Sequence, residues 1–174
     1  PVEFTNSSNI TFSTATTAAG AFELYGGAIA LNTNLTTTSS TNGNIVLSGT
    51  TLSGSANLAV ATGRTATINV SSTSTYDGII SGTGSGLTKL GTGMLTLTKD
   101  HTYSGATVIT SGDLQVGTGG SIDQASSGSI ANTTAVTVES GSKLILTPNE
   151  DIDFDAPISG DGGVEIKGAS GAYY

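Results

Sequence analysis

"GLTKLGTGMLTLTKDHTYSGATVITSGDLQVG", Gly86–Gly117, is the most patterned stretch of the chain. Its apolar residues alternate with Thr and other polar residues in short bursts, and glycines separate the bursts. On a strand, successive side chains point to opposite faces, so each burst sends one set inward and the other to solvent. Glycine supplies the left-handed backbone that a tight corner needs. The stretch therefore reads as short strands joined by glycine corners. It holds one histidine and no cysteine, and little else that does chemistry.

The same grammar runs outward in both directions. Upstream lie "NITFS" (Asn9–Ser13), "GAIAL" (Gly27–Leu31), "NIVLS" (Asn44–Ser48), "NLAVA" (Asn57–Ala61) and "ATINV" (Ala66–Val70). Downstream lie "AVTV" (Ala135–Val138) and "KLILT" (Lys143–Thr147). No window carries a useful helical stripe at i, i+3, i+4 and i+7. The polar stretch "TNLTTTSSTNGN", Thr33–Asn44, reads as a long loop between coils.

Composition agrees. Of 174 residues 25 are glycine, about twice the usual share, and only 10% are charged. With 36% hydrophobic residues and a mean hydropathy of +0.10, the chain has enough apolar surface to fold. The net charge is −8 with only five Lys and Arg, which argues against a nucleic-acid partner and against docking on an anionic membrane. No run approaches the ~18 apolar residues of a membrane-spanning helix, so no direct membrane insertion of this segment is expected. Without cysteines, no disulfide stabilises it. The chain opens on Pro1 with no leader, so a processed or excised piece of a longer exported protein is expected.

Short strands at even spacing suit a sandwich, a barrel or a solenoid, and internal repetition favours the solenoid. "YDGIISGTGSGLTKLGTG" (Tyr76–Gly93) and "FDAPISGDGGVEIKGAS" (Phe154–Ser170) align with one deletion, 78 residues apart before it and 77 after. The expected architecture is all-β, a single stack spanning residues 1–174. Coils of ~20–25 residues would give about seven or eight turns. At ~4.8 Å per turn the rod would be about 35–40 Å long. Leu87, Leu95, Leu97, Val108, Leu114 and Val116 are expected in its core, and Gly91, Gly93, Gly105 and Gly112 at its corners.

Chemistry is sparse. His101 has Asp100 beside it in sequence, which on a strand points the opposite way, so it reads as a surface-turn histidine. "GTGSG" (Gly82–Gly86) resembles a nucleophile elbow, but its nucleophile position holds Gly84. In "EDIDFD" (Glu150–Asp155), Asp151, Asp153 and Asp155 share one strand face. Such a face is most simply a solvated surface; it is a weak candidate for a cation such as calcium. It could also be the acid pair of a polysaccharide-active enzyme. No catalytic residue, resident metal or cofactor is assigned.

Residues 86–117 closely resemble the passenger-associated transport repeat of bacterial autotransporters. That pattern runs Leu-x-Lys-x-Gly-x-Gly, a Leu-Thr-Leu strand, Asn-Thr-Tyr-x-Gly, a Thr-Val strand and Gly-x-Leu-x-Val. Here Leu87, Lys89, Gly91, Gly93, Leu95, Leu97, Thr102, Tyr103, Gly105, Thr107, Gly112, Leu114 and Val116 are in place. His101 stands where the family usually has Asn. The partial second copy, 154–170, breaks off at "GAYY" before the Thr-Tyr half. The resemblance implies a right-handed parallel β-helix exported across a bacterial outer membrane to the cell surface or medium. It implies a structural or adhesive passenger. Partners would be a host or neighbouring-cell surface component, or further copies of the chain in homotypic assembly. A self-assembling extracellular filament and a β-helix polysaccharide-active enzyme are the alternatives.

Overall fold

A computed structural model describes residues 1–118, 128–148 and 154–167. Its strands, β1–β21 in chain order, include no helix among the described residues and pair in parallel. They form a β-solenoid of about seven turns with three faces.

The first face is one eight-stranded sheet: β1 (Val2–Thr5), β4 (Phe22–Tyr25), β7 (Ile45–Gly49), β10 (Thr65–Val70), β13 (Gly86–Leu90), β16 (Thr107–Ile109), β18 (Val136–Val138) and β20 (Ile158–Ser159). The second begins with β2 (Ile10–Phe12), β5 (Ala28–Leu31) and β8 (Thr51–Gly54). It continues with β11 (Ser74–Tyr76), β14 (Leu95–Leu97), β17 (Asp113–Val116), β19 (Lys143–Leu146) and β21 (Gly163–Ile166). Between β8 and β11 the ladder is interrupted, and Ser74 Oγ accepts the Leu52 N–H at 3.1 Å in its place. The third face holds β3 (Thr16–Ala18), β6 (Leu35–Thr37), β9 (Leu58–Ala59), β12 (Ile80–Gly82) and β15 (Thr102–Tyr103).

Register partners on the first face advance by 20 to 23 residues per coil, except Thr107↔Val136, a step of 29 that contains residues 119–127. One coil thus stacks on the next with inward side chains superposed on inward ones. One interior column reads Phe22, Ile45, Ala66, Leu87, Thr107, Val136; the next reads Leu24, Leu47, Ile68, Lys89, Ile109, Val138. All of these are buried. Each large aliphatic contributes about 1.5–3 kcal/mol, which a lone coil could not collect because its inner face would be bare.

Three expectations need correction. Thr33–Asn44 is not all loop: β6 runs through it, with Leu35 and Thr37 buried. Thr37 Oγ1 donates to Gly43 O at 2.6 Å and accepts the Ala61 N–H at 3.0 Å, so the polar residue carries its partners inside. Val108 faces outward and is half-buried, while Thr107 and Ile109 point in. In "TVIT" one of two adjacent apolar residues must face out, and register with Leu87 and Lys89 decides which. The two sequence copies are also not structural repeats. Ile80-Ser81-Gly82 lies on the third face and Ile158-Ser159 on the first; Gly86–Leu90 lies on the first face and Gly163–Ile166 on the second. Three coils from Leu87 end at Ile158, so a step of 77 overshoots by one face.

Candidate functional site

The acidic triplet is not assembled on the described residues. Asp151 and Asp153 lie outside them, and Asp155 is exposed. No group of three or more His, Cys, Asp or Glu able to hold a metal occurs among the described residues. Lys143 is exposed, and Lys167 pairs with Glu165 at 3.4 Å across exposed side chains. The chemistry concentrates instead in the interior of residues 87–116, at two corners and one hydroxyl cluster.

At the corner leaving β13, Lys89 is wholly buried. Its Nζ donates to Leu90 O and Gly91 O at 2.8 Å and to Ser111 O at 3.1 Å, tying two successive coils together. Burial lowers its pKa to about 8, with Asp113 opposing the shift, so it remains an ammonium at neutral pH. Three carbonyls supply the partners that a buried cation requires. The corner closes through Gly91 at φ +78°, where a Cβ would meet Val70 O at 2.3 Å, and Gly112 at φ +65°. Gly93 and Gly105 serve differently. Neither has positive φ, but a Cβ would stand 2.3 Å from Ser72 O or 2.7 Å from Gly84 O. The coil-to-coil spacing leaves them no room.

His101 is not on the surface; it is 1% exposed. It precedes Thr102, whose partner is Ser81, so it stacks beside Ile80 in the interior of the third face. Nδ1 accepts the Ile80 N–H at 2.9 Å, which places the imidazole proton on Nε2. Nε2 is buried without a hydrogen-bond partner among the described residues. Burial pushes the pKa down to about 4, so the ring is neutral at pH 7. The neighbouring amide is held from the other side: Asn57 Oδ1 accepts the Ile79 N–H at 2.9 Å, as Asn34 Oδ1 accepts the Asn57 N–H at 2.8 Å one coil earlier. His101 accepts an amide of the coil before it, as Asn34 and Asn57 accept amides of the coils after them.

Beyond it, Tyr103 Oη meets Thr107 Oγ1 at 2.7 Å, and Thr107 meets Thr133 Oγ1 at 3.0 Å; all three are buried. Burial raises the Tyr103 pKa, so the phenol stays protonated. Leu87, Leu95, Leu97, Leu114 and Val116 are buried around these groups. Lys89, His101 and Thr107 as interior residues were missed in sequence. The usable signal was phase. Lys89 lies two residues after Leu87 and His101 two before Tyr103, so each shares a face with a core residue.

Comparison with curated proteins gives no match, and comparison with solved structures gives none. Residues 87–116, the segment that holds both corners, match the model of the passenger-associated transport repeat family. The chain carries that repeat within a parallel β-solenoid, as an autotransporter passenger segment does.

Proposed function

We propose that this chain is a structural segment of a bacterial autotransporter passenger, displayed at the cell surface or released, and that its long sides present adhesive surface. The observation that supports this most is the filled interior. Side chains of successive coils superpose in packed columns, so recognition is left to the outside of a stiff acidic rod. Candidate partners are components of a host or neighbouring cell, or other copies of the chain. The reading assigns no catalytic turnover and no nucleic-acid or membrane partner. No helix of the described residues is long and apolar enough to cross a membrane.

The test is export and adhesion. The gene for the exported protein would be expressed with and without residues 87–116, and surface display scored by protease shaving and antibody labelling of intact cells. The reading expects display, and binding of displayed cells to host-cell layers or to each other, to fall without the repeat. Unchanged display and binding would sink it. Turnover of pectin or another acidic glycan by the purified chain, lost on Asp153→Ala, would favour the enzymatic alternative instead.

A second reading, homotypic assembly into filaments, draws on the terminal rungs. Val2 and Phe4 at one end and Ile158, Val164 and Ile166 at the other are exposed on strands whose outer edges are unpaired among the described residues. Electron microscopy separates the readings: long fibres favour assembly, and short uniform rods favour the passenger segment.

A further inference from the structure

The peptide Ile79-Ile80 is gripped from two coils at once. Asn57 Oδ1 takes the Ile79 N–H from one side and His101 Nδ1 takes the Ile80 N–H from the other, both at 2.9 Å. The two acceptors differ in one respect. An amide oxygen keeps its lone pairs at any pH a cell meets, whereas an imidazole nitrogen loses its acceptor capacity when it binds a proton. We propose that the His101 corner is an acid-released latch: a proton taken from solvent by Nδ1 breaks its bond from Ile80 N–H and opens the third face locally where β12 meets β15.

The geometry gives the protonated ring nowhere to stay. Nδ1–H would point at an N–H, donor against donor. Nε2–H already lacks a partner among the described residues, so the cation would be buried with no acceptor. The surrounding groups do not rescue it. Tyr103, two residues further on in β15, has its ring centroid 6.3 Å away and its hydroxyl engaged with Thr107. Lys99 and Asp100, its chain neighbours, are exposed. Asp77, ahead of the gripped peptide, accepts from Thr98 Oγ1 at 2.6 Å. β9 and β12 carry no ionisable side chain, and neither do residues 128–133. Burial lowers the ring's proton affinity.

More hangs on this corner than one bond. His101 N–H donates to Ser129 O at 2.8 Å, and Asn132 Nδ2 donates to His101 O at 3.2 Å. The return of the 29-residue step is thus anchored on the histidine's own backbone. Movement of the ring would loosen both the coil behind and the coil ahead.

Amide hydrogen exchange by NMR on the folded chain tests the latch. Between the ordinary histidine pKa and about 4, the Ile80 amide should open about tenfold more per pH unit of acidification, after correction for intrinsic exchange. The Asn57 amide, held by Asn34, is the internal control and should show no such slope. In His101→Asn the slope at Ile80 should vanish. A flat Ile80 profile, an equal slope at Asn57, or a slope that survives in His101→Asn overturns the proposal. If His101→Asn does not fold, the imidazole nitrogen shifts of the unaltered chain decide. Protonation that coincides with loss of Ile80 protection supports the latch; a protonated ring with Ile80 still protected refutes it.

Discussion

Lys89 and His101 occupy equivalent situations and solve them in opposite ways. Each lies on an interior column among aliphatic residues, each is almost wholly buried, and each has its pKa lowered by that burial. The outcomes diverge because the starting points differ. A lysine lowered to about 8 is still a cation at pH 7, so its corner must supply acceptors and does, with three carbonyls. A histidine lowered to about 4 is neutral, so its corner supplies a donor, the Ile80 N–H. The lesson is that burial does not dictate whether a polar side chain enters a core as donor or acceptor. Intrinsic proton affinity does, and the backbone of the adjoining coil is arranged to suit.

Removing the cation should have the largest effect. Lys89→Ala strips a buried stem and leaves the Leu90, Gly91 and Ser111 carbonyls without their donor; urea unfolding should show a loss of about 4 kcal/mol. Its column neighbour is the control: Ile109→Val, which removes one methyl group, should cost only about 1 kcal/mol. Equal losses would mean that the ammonium contributes nothing beyond volume.

Next comes acid. Below its ordinary pKa the unfolded chain's histidine binds a proton that the folded one refuses. Stability is therefore complete above that value and falls as pH drops toward 4, by about 3 kcal/mol in all. The difference between His101→Asn and the unaltered chain across this range isolates the effect. Alkali gives the smaller counterpart. From about pH 8 to the ordinary lysine pKa the unfolded chain binds the proton and the folded one does not, so stability rises with pH through this window. The gain should be about 2 kcal/mol, below the full conversion because the carbonyl partners belong to half-buried residues near solvent. Lys89→Met should abolish the rise.

The smallest effect separates the two uses of glycine. Gly63 has φ +67° with open space where a Cβ would stand, so Gly63→Ala should cost about 1 kcal/mol, the left-handed backbone penalty alone. Gly91→Ala adds a collision with Val70 O and should cost at least twice as much by thermal unfolding.

The residue pattern dictates local features: strands where apolar residues alternate, corners where glycine intervenes, and stacking, because no single coil can cover its own inner face. "ATINV", "MLTLT" and "DLQV" are strands β10, β14 and β17 for that reason. Which face each strand joins, and which polar side chains go inside, depends on the packed stack of coils. The echo of "ISG" at Ser81 and Ser159 looks like a repeat, yet the coils place its copies on different faces because face depends on the count of residues from the coil before. Phase puts Lys89 and His101 on a core face, but it does not show that a titratable side chain is admitted there, and only register with Leu87 and Lys89 turns Val108 outward. A side chain is admitted to the interior when a neighbouring coil offers the matching donor or acceptor, and those partners lie some twenty residues away in the chain.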